Sequence, residues 1–195
     1  VPASSESGGS PGKAKLRVYI PATVPMLREL VADRELRALN DTAFAVTPAL
    51  REAYASGDDE ELAEVAMGEA ARASLRLLAE EREAAALHAD EDNPDTPYSA
   101  PLYRRAVIAA DVTGTTLRPD LDDAVVRLSA PIAYSQIASV HVDLAEAEPA
   151  VAKAVDVVDA ADLGDEDAEF VLGDAEDHQL AWYATQELPF LLELM

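Results

Sequence analysis

The chain has 195 residues, 49% of them hydrophobic, and a formal net charge of −23. That much apolar material in that length suits one folded domain with a sizeable core and excludes a disordered chain. The negative field excludes nucleic acid and anionic membrane as partners, and the absence of cysteine excludes disulfides and thiolate metal sites.

The charge is unevenly placed. Residues 141–195 hold fifteen of the 38 carboxylates but one of the 15 bases, Lys153. Twelve of the bases are arginine, which together with abundant alanine fits a GC-rich genome and a generally acidic proteome. The acidity therefore has two readings, compositional bias or an anionic recognition surface.

In chain order, residues 1–15 (VPASSESGGSPGKAK) read as a disordered leader rich in Ser, Gly and Pro. They contain no apolar core of a secretory signal, so a cytoplasmic protein is expected. Leu16 is a candidate for the native start, with Val1 a translated alternative codon. No apolar run approaches the roughly 20 residues that span a bilayer.

Arg17–Ile20 alternates and is β-rich, which predicts a strand. Thr23 and Pro25 then open a helix to about Ala32. Thr42–Val46 predicts a second strand, and Thr47-Pro48 restarts a helix that Gly57 interrupts. Asp58 and Glu61 have capping-box spacing ahead of the longest helix, to about His88. Leu62, Val65, Ala66, Ala70, Ala73 and Leu77 recur at helical spacing and are its expected core face.

The polar stretch from His88 to Ala100 reads as a loop. RRAVIAADV, at 104–112, is a near-continuous apolar run and predicts a buried central strand. A turn-rich loop (113–123), a strand (124–128), a short helix or turn (132–138) and a strand (139–144) follow. Glu148-Pro149 opens a helix to about Ala160, and 165–172 forms another, closed by Gly173. Residues 178–183 read as a strand before a last helix capped by Thr185. A continuous helix through His178 is the alternative. The halves 17–112 and 124–183 share a strand–helix–strand–helix–strand order, an internal β-α-β-α-β pseudo-repeat. Residues 16–195 are thus expected to form a single α+β domain, with a mixed sheet of about five or six strands packed by helices.

Few residues point to chemistry. His141 and Asp143 share a strand face, and His178 follows Asp174. If the last two strands pair, these four could form an oxygen and nitrogen site for a divalent metal. The competing reading makes the histidines hydrogen-bonded structural residues. Arg118, Asp120, Asp122 and Asp123 form either a magnesium-binding cluster or an ordinary Asp-rich turn. Asp111, ending an apolar strand, occupies a position where ligands gather in open sheets. No Gly-x-Gly-x-x-Gly, P-loop or Gly-x-Ser-x-Gly motif is present, so no other cofactor is expected. Pro189-Phe190-Leu191-Leu192 either docks on the core or contacts a partner.

Several segments resemble a family of uncharacterised actinobacterial proteins: RVYIPAT (17–23), TAFAVTPALREAY (42–54), RPDLDDAVVRL (118–128) and DLGDEDAEFVLGDAEDHQLAWYATQELPFLL (162–192). That resemblance implies a cytosolic protein from a high-GC Gram-positive bacterium and transfers no activity, the family being a domain of unknown function. Locally, LAWYATQELPFLLEL is similar to the tail of Nudix hydrolases, where a strand ending in Trp-aromatic leads to a helix opening Glu-Leu-Pro. The Nudix glutamate box is absent, so pyrophosphatase activity is not carried over.

The expectation is a non-catalytic regulatory or interaction protein that recognises a basic protein partner through its acidic C-terminal third. The alternatives are a metal-dependent hydrolase using His141, Asp143, Asp174 and His178, and an acidic mimic of nucleic acid.

Overall fold

The computed structural model describes residues 13–89 and 98–195. The leader over 1–12 and the polar segment over 90–97 lie outside the described residues.

Strand β1 (Leu16–Ala22) sends Val18, Ile20 and Ala22 into one core and Tyr19 into another. The period-2 alternation is therefore real, although both faces are covered. Helix α1 (Val24–Asp33) starts at Thr23 with Pro25 in its first turn. The Thr23 hydroxyl does not cap it; that hydroxyl donates to Glu81 instead. The two-residue β2 (Glu35–Leu36), β3 (Thr42–Phe44) and α2 (Pro48–Ala53) follow. Thr47 caps α2 by accepting from the Leu50 N–H at 3.1 Å.

Helix α3 (Asp59–His88) has 30 residues, about 45 Å of helix at 1.5 Å per residue. Its capping box forms as expected. Asp58 accepts from the N–H groups of Glu60 and Glu61, and Glu61 accepts from the Asp58 N–H at 3.1 Å. Of the predicted core face, Leu62, Ala66, Ala70 and Leu77 are buried.

The second half runs β4 (Ala106–Val112), β5 (Thr116–Leu117), β6 (Val125–Arg127), β7 (Ile132–Ala133) and β8 (Ile137–Val142). Helices α4 (Glu148–Asp162) and α5 (Glu166–Glu176), strand β9 (Ala181–Tyr183) and α6 (Leu188–Glu193) complete it. Gly173 does not close α5; the helix continues to Glu176. Burial of Leu172 and Ala175 outweighs the cost of about 1 kcal/mol for a mid-helix glycine. The strand-then-helix order holds at 181–193, but His178 precedes the strand.

The main sheet has seven strands in the order β5-β6-β3-β1-β4-β8-β9, and β2 pairs with β7 in a separate ribbon. The α+β class stands. Every recorded pairing is antiparallel, where a mixture of directions was expected. The reason is the placement of β1. It lies between β3 and β4, so these two run parallel to each other without touching, and α3 crosses the sheet to join them. The pseudo-repeat is not reproduced either. In the first half β1 touches both β3 and β4, whereas β6 lies at the opposite side of the sheet from β8 and β9.

Helices cover both faces. Leu27 and Leu30 of α1 and Leu188 and Leu191 of α6 pack on Val18, Ile20, Ile108 and Val140. On the other face Leu62, Ala66 and Ala70 of α3 meet Tyr19, Phe44, Val107 and Ala109. Buried Ser74 of α3 stitches this helix to the sheet, donating to the Ala22 carbonyl at 2.7 Å and accepting from the Ala106 N–H at 3.1 Å.

Candidate functional site

Helices α4 and α5 carry most of the C-terminal carboxylates. Gly164, at φ +91°, makes the turn between them, and Asp165 caps α5 by accepting from the Ala168 N–H at 2.9 Å. Val151, Val155 and Val158 of α4 and Ala168 and Leu172 of α5 point inward against Leu75 and Leu78 of α3. An apolar inner stripe forces the acidic residues outward.

Part of that charge is neutralised by α3 and the segment before β4. Arg72 donates to Asp162 at 3.0 Å and to Glu169 at 2.7 Å, and Arg76 donates to Asp162 at 2.5 Å. Arg82 pairs with Asp156, and Arg104 with Glu148 at 2.7 Å. The rest faces solvent. On α5, Glu166, Asp167 and Asp174 surround Phe170 at i−4, i−3 and i+4, and all four are exposed. Phe170 is 77% exposed, and Leu163, at the α4–α5 turn, is 90% exposed. The surface thus presents exposed apolar side chains among free carboxylates.

The Arg76 hydrogen bond, followed by the other Arg76 and Arg72 interactions, holds the Asp162 carboxyl below its ordinary value against the opposing effect of burial. A depressed folded-state pKa stabilises the fold above the unfolded value of about 4 and loses that contribution as pH falls through the folded value. Asp162→Asn is therefore expected to be less stable than the parent at pH 7, with the two stabilities from urea denaturation converging as the pH falls below the ordinary carboxylate range. Parallel curves with no convergence would show that these pairs contribute nothing.

The candidate metal ligands lie in separate settings. Asp143 is fully buried and bound to Arg105, which is 3% exposed on its side chain. The guanidinium grips it bidentately, Nε to Oδ2 and Nη2 to Oδ1, both at 2.8 Å. The Arg105 N–H adds a third donor to Oδ2 at 2.8 Å, and Nη2 also donates to the His178 carbonyl at 2.8 Å. The Asp143 carboxylate and the His178 backbone thus clamp the β4–β8 end to the approach of β9. Asp174 is exposed on α5. Among the described residues no group of three or more His, Asp or Glu side chains is placed to hold a metal ion.

His141 pairs differently. Its Nε2 lies 3.0 Å from Ser139 Oγ, two residues earlier on the same face of β8. Nearby, Arg17 and Asp111 pair across β1 and β4, with Nε to Oδ1 at 2.7 Å and Nη2 to Oδ2 at 3.0 Å. Burial, reinforced by the Arg17 charge, pushes the imidazole pKa down, so His141 is neutral at pH 7. A neutral imidazole beside a hydroxyl is a proton acceptor, but Ser139 is buried, which makes the pair a brace within β8. Asp111, singled out by its strand-end position, is occupied by Arg17.

In the 118–123 turn, Arg118 grips Asp120 at 2.7 Å and Asp122 accepts from the Ala124 N–H at 3.2 Å. These are turn contacts. In the C-terminal tail Leu188 and Leu191 dock on the core, while Phe190 is exposed. The clamp residue Arg105 is marked by no motif in the sequence. Its signal was an arginine opening one apolar strand and an aspartate ending another, which becomes informative once the two strands pair antiparallel.

A family model described as a family of unknown function (DUF6912) matches residues 16–192. The chain belongs to this family. Its match begins at Leu16, the first residue of β1, and ends within α6, so membership spans the nine strands among the described residues and the acidic helix pair. No curated protein and no solved structure matches the chain. No helix among the described residues is long and apolar enough to cross a membrane.

Proposed function

We propose that this chain is a non-catalytic interaction protein whose α4–α5 face engages a protein partner with a complementary basic surface. The observation that carries this reading is the exposed Phe170 flanked on α5 by Glu166, Asp167 and Asp174, with a second exposed apolar side chain, Leu163, at the α4–α5 turn. Exposed aromatic anchors inside a polar rim are typical of binding hot spots, and complementary charge steers and aligns the encounter. Arg72, Arg76, Arg82 and Arg104 neutralise the inner carboxylates, leaving the outer set as a defined patch. That internal pairing favours a compact protein contact over an evenly charged row mimicking nucleic-acid phosphates. The same reading sets the protein in the cytoplasm of an actinobacterium, in line with the resemblance of its segments and its arginine- and alanine-rich composition.

Affinity capture with the full chain, at about 0.1 M and about 1 M salt, tests the proposal, since screening shortens from about 10 Å to about 3 Å over that range. A basic protein retained at low salt and released at high salt is expected. It should also be lost with Phe170→Ala and with Glu166→Lys/Asp174→Lys. Equal capture by the charge-reversed protein, or no capture at all, would overturn the proposal.

A further inference from the structure

On the side of α3 turned toward α1, two cavities of about 350 Å³ and 510 Å³ meet, and Glu81 and Ala84 border both. Each lies in the range of about 300–1,000 Å³ typical of small-molecule sites. The floor of the first is apolar, formed by Met26, Leu36 and Leu77. Its charged border is one-sided. Glu29 comes from α1 and Glu80 and Glu81 from α3, against a single arginine, Arg37, which donates one hydrogen bond to Asp41 at 2.9 Å.

Glu81 is the half-buried member of the set. It accepts a hydrogen bond from Thr23, whose own side chain is fully buried where β1 runs into α1. The hydroxyl donor fixes the carboxylate at the junction of the two cavities. Burial raises its pKa, the Thr23 hydrogen bond opposes part of that rise, and the neighbouring Glu29 charge adds to it. Two like charges beside an apolar floor form an arrangement that a cation relieves.

We propose that this groove binds an organic cation with an apolar tail, its ammonium held by Glu81 and Glu29 and its chain lying on Met26, Leu36 and Leu77. An ammonium donates hydrogen bonds to the carboxylates, and the tail removes the apolar floor from water. Glu29 and Glu80 border only the first cavity, which directs the ammonium there. The site uses no residue of the α4–α5 face.

Isothermal titration calorimetry of the full chain with octylamine, 1-octanol and octanoate tests the proposal. Saturable octylammonium binding is expected, with octanol at least about tenfold weaker and octanoate unbound. Glu81→Gln should weaken octylammonium by about tenfold or more, and Ala84→Trp, which fills the groove from an exposed helix position, should abolish binding. Ala84→Trp is expected to keep the parent melting temperature, which separates a blocked groove from a damaged fold. Equal binding of octanol and octylamine, an unchanged affinity in Glu81→Gln, or no saturable binding would overturn it. Partner capture through Phe170 is expected to be unaffected by Ala84→Trp, so the two proposals fail separately.

Discussion

Asp143→Ala is expected to destabilise the fold by about 3–5 kcal/mol, the cost of leaving one member of a buried ion pair without its partner. Neither side chain can recover through water, since Arg105 is 3% and Asp143 0% exposed. The substitution orphans three donors at once, the Arg105 Nε, one Nη2 bond and the Arg105 backbone N–H. Restoring apolar contacts with the double change Arg105→Met/Asp143→Leu should recover much of the loss, because buried pairs often do little better than well-packed apolar replacements. The backbone N–H left by that double change and the His178 carbonyl limit the recovery. Urea midpoints at constant m-value measure both. Trp182 is the single tryptophan and lies on β9, just past the His178 carbonyl that Arg105 holds, so its fluorescence reports whether this edge loosens first. A loss below about 1 kcal/mol for Asp143→Ala would show that the clamp is energetically neutral.

Ile108→Ala is expected to cost about 2–5 kcal/mol, with the value toward the upper end. Ile108 is fully buried at the centre of β4, opposite Ile20 on β1. Across its other edge it faces Val140 on β8. The penalty for a large-to-small change depends on how far the surroundings collapse into the hole. Here Ala106 and Ala110, its neighbours on the same face of the strand, flank the site, and alanine has no side-chain torsion with which to fill a gap. Ile108→Val should cost only about 0.5–1.5 kcal/mol. Chemical denaturation of both variants checks this, and a cost below about 1.5 kcal/mol for Ile108→Ala would show that the helices move in to close the cavity.

The long elements were legible because each is governed by its own neighbours in sequence. The capping box at Asp58 and Glu61 starts α3, the β-rich runs make β1 and β4, and Thr47-Pro48 opens α2. The misses share a cause as well. Strands β2, β5 and β7 have two residues each, too few to display a period, and exist only because a partner lies alongside. Gly173 reads as a helix stop until Leu172 and Ala175 are seen packed on α3.

Phe170 and Leu163 carried no signal in the sequence, and for the histidine and carboxylate candidates the sequence showed the residues but not their partners. His141 and Asp143 were singled out together. On the strand, Ser139 takes the histidine and Arg105, 38 residues earlier, takes the aspartate. Glu81 carried no signal, since one glutamate among many on a charged helix is indistinguishable until Thr23 and the α1 groove come to lie against it.

By itself the sequence determined the α+β class, the positions of the principal helices and strands, and the acidic bias of the last third. Those properties are local or additive, set by periodicity, capping and composition. Only the tertiary structure decided the all-antiparallel strand order, the Arg105–Asp143 clamp, which carboxylates arginines neutralise and which stay free around Phe170. Those depend on contacts between residues far apart in the chain, and the pairing of β1 between β3 and β4 is what brings them together.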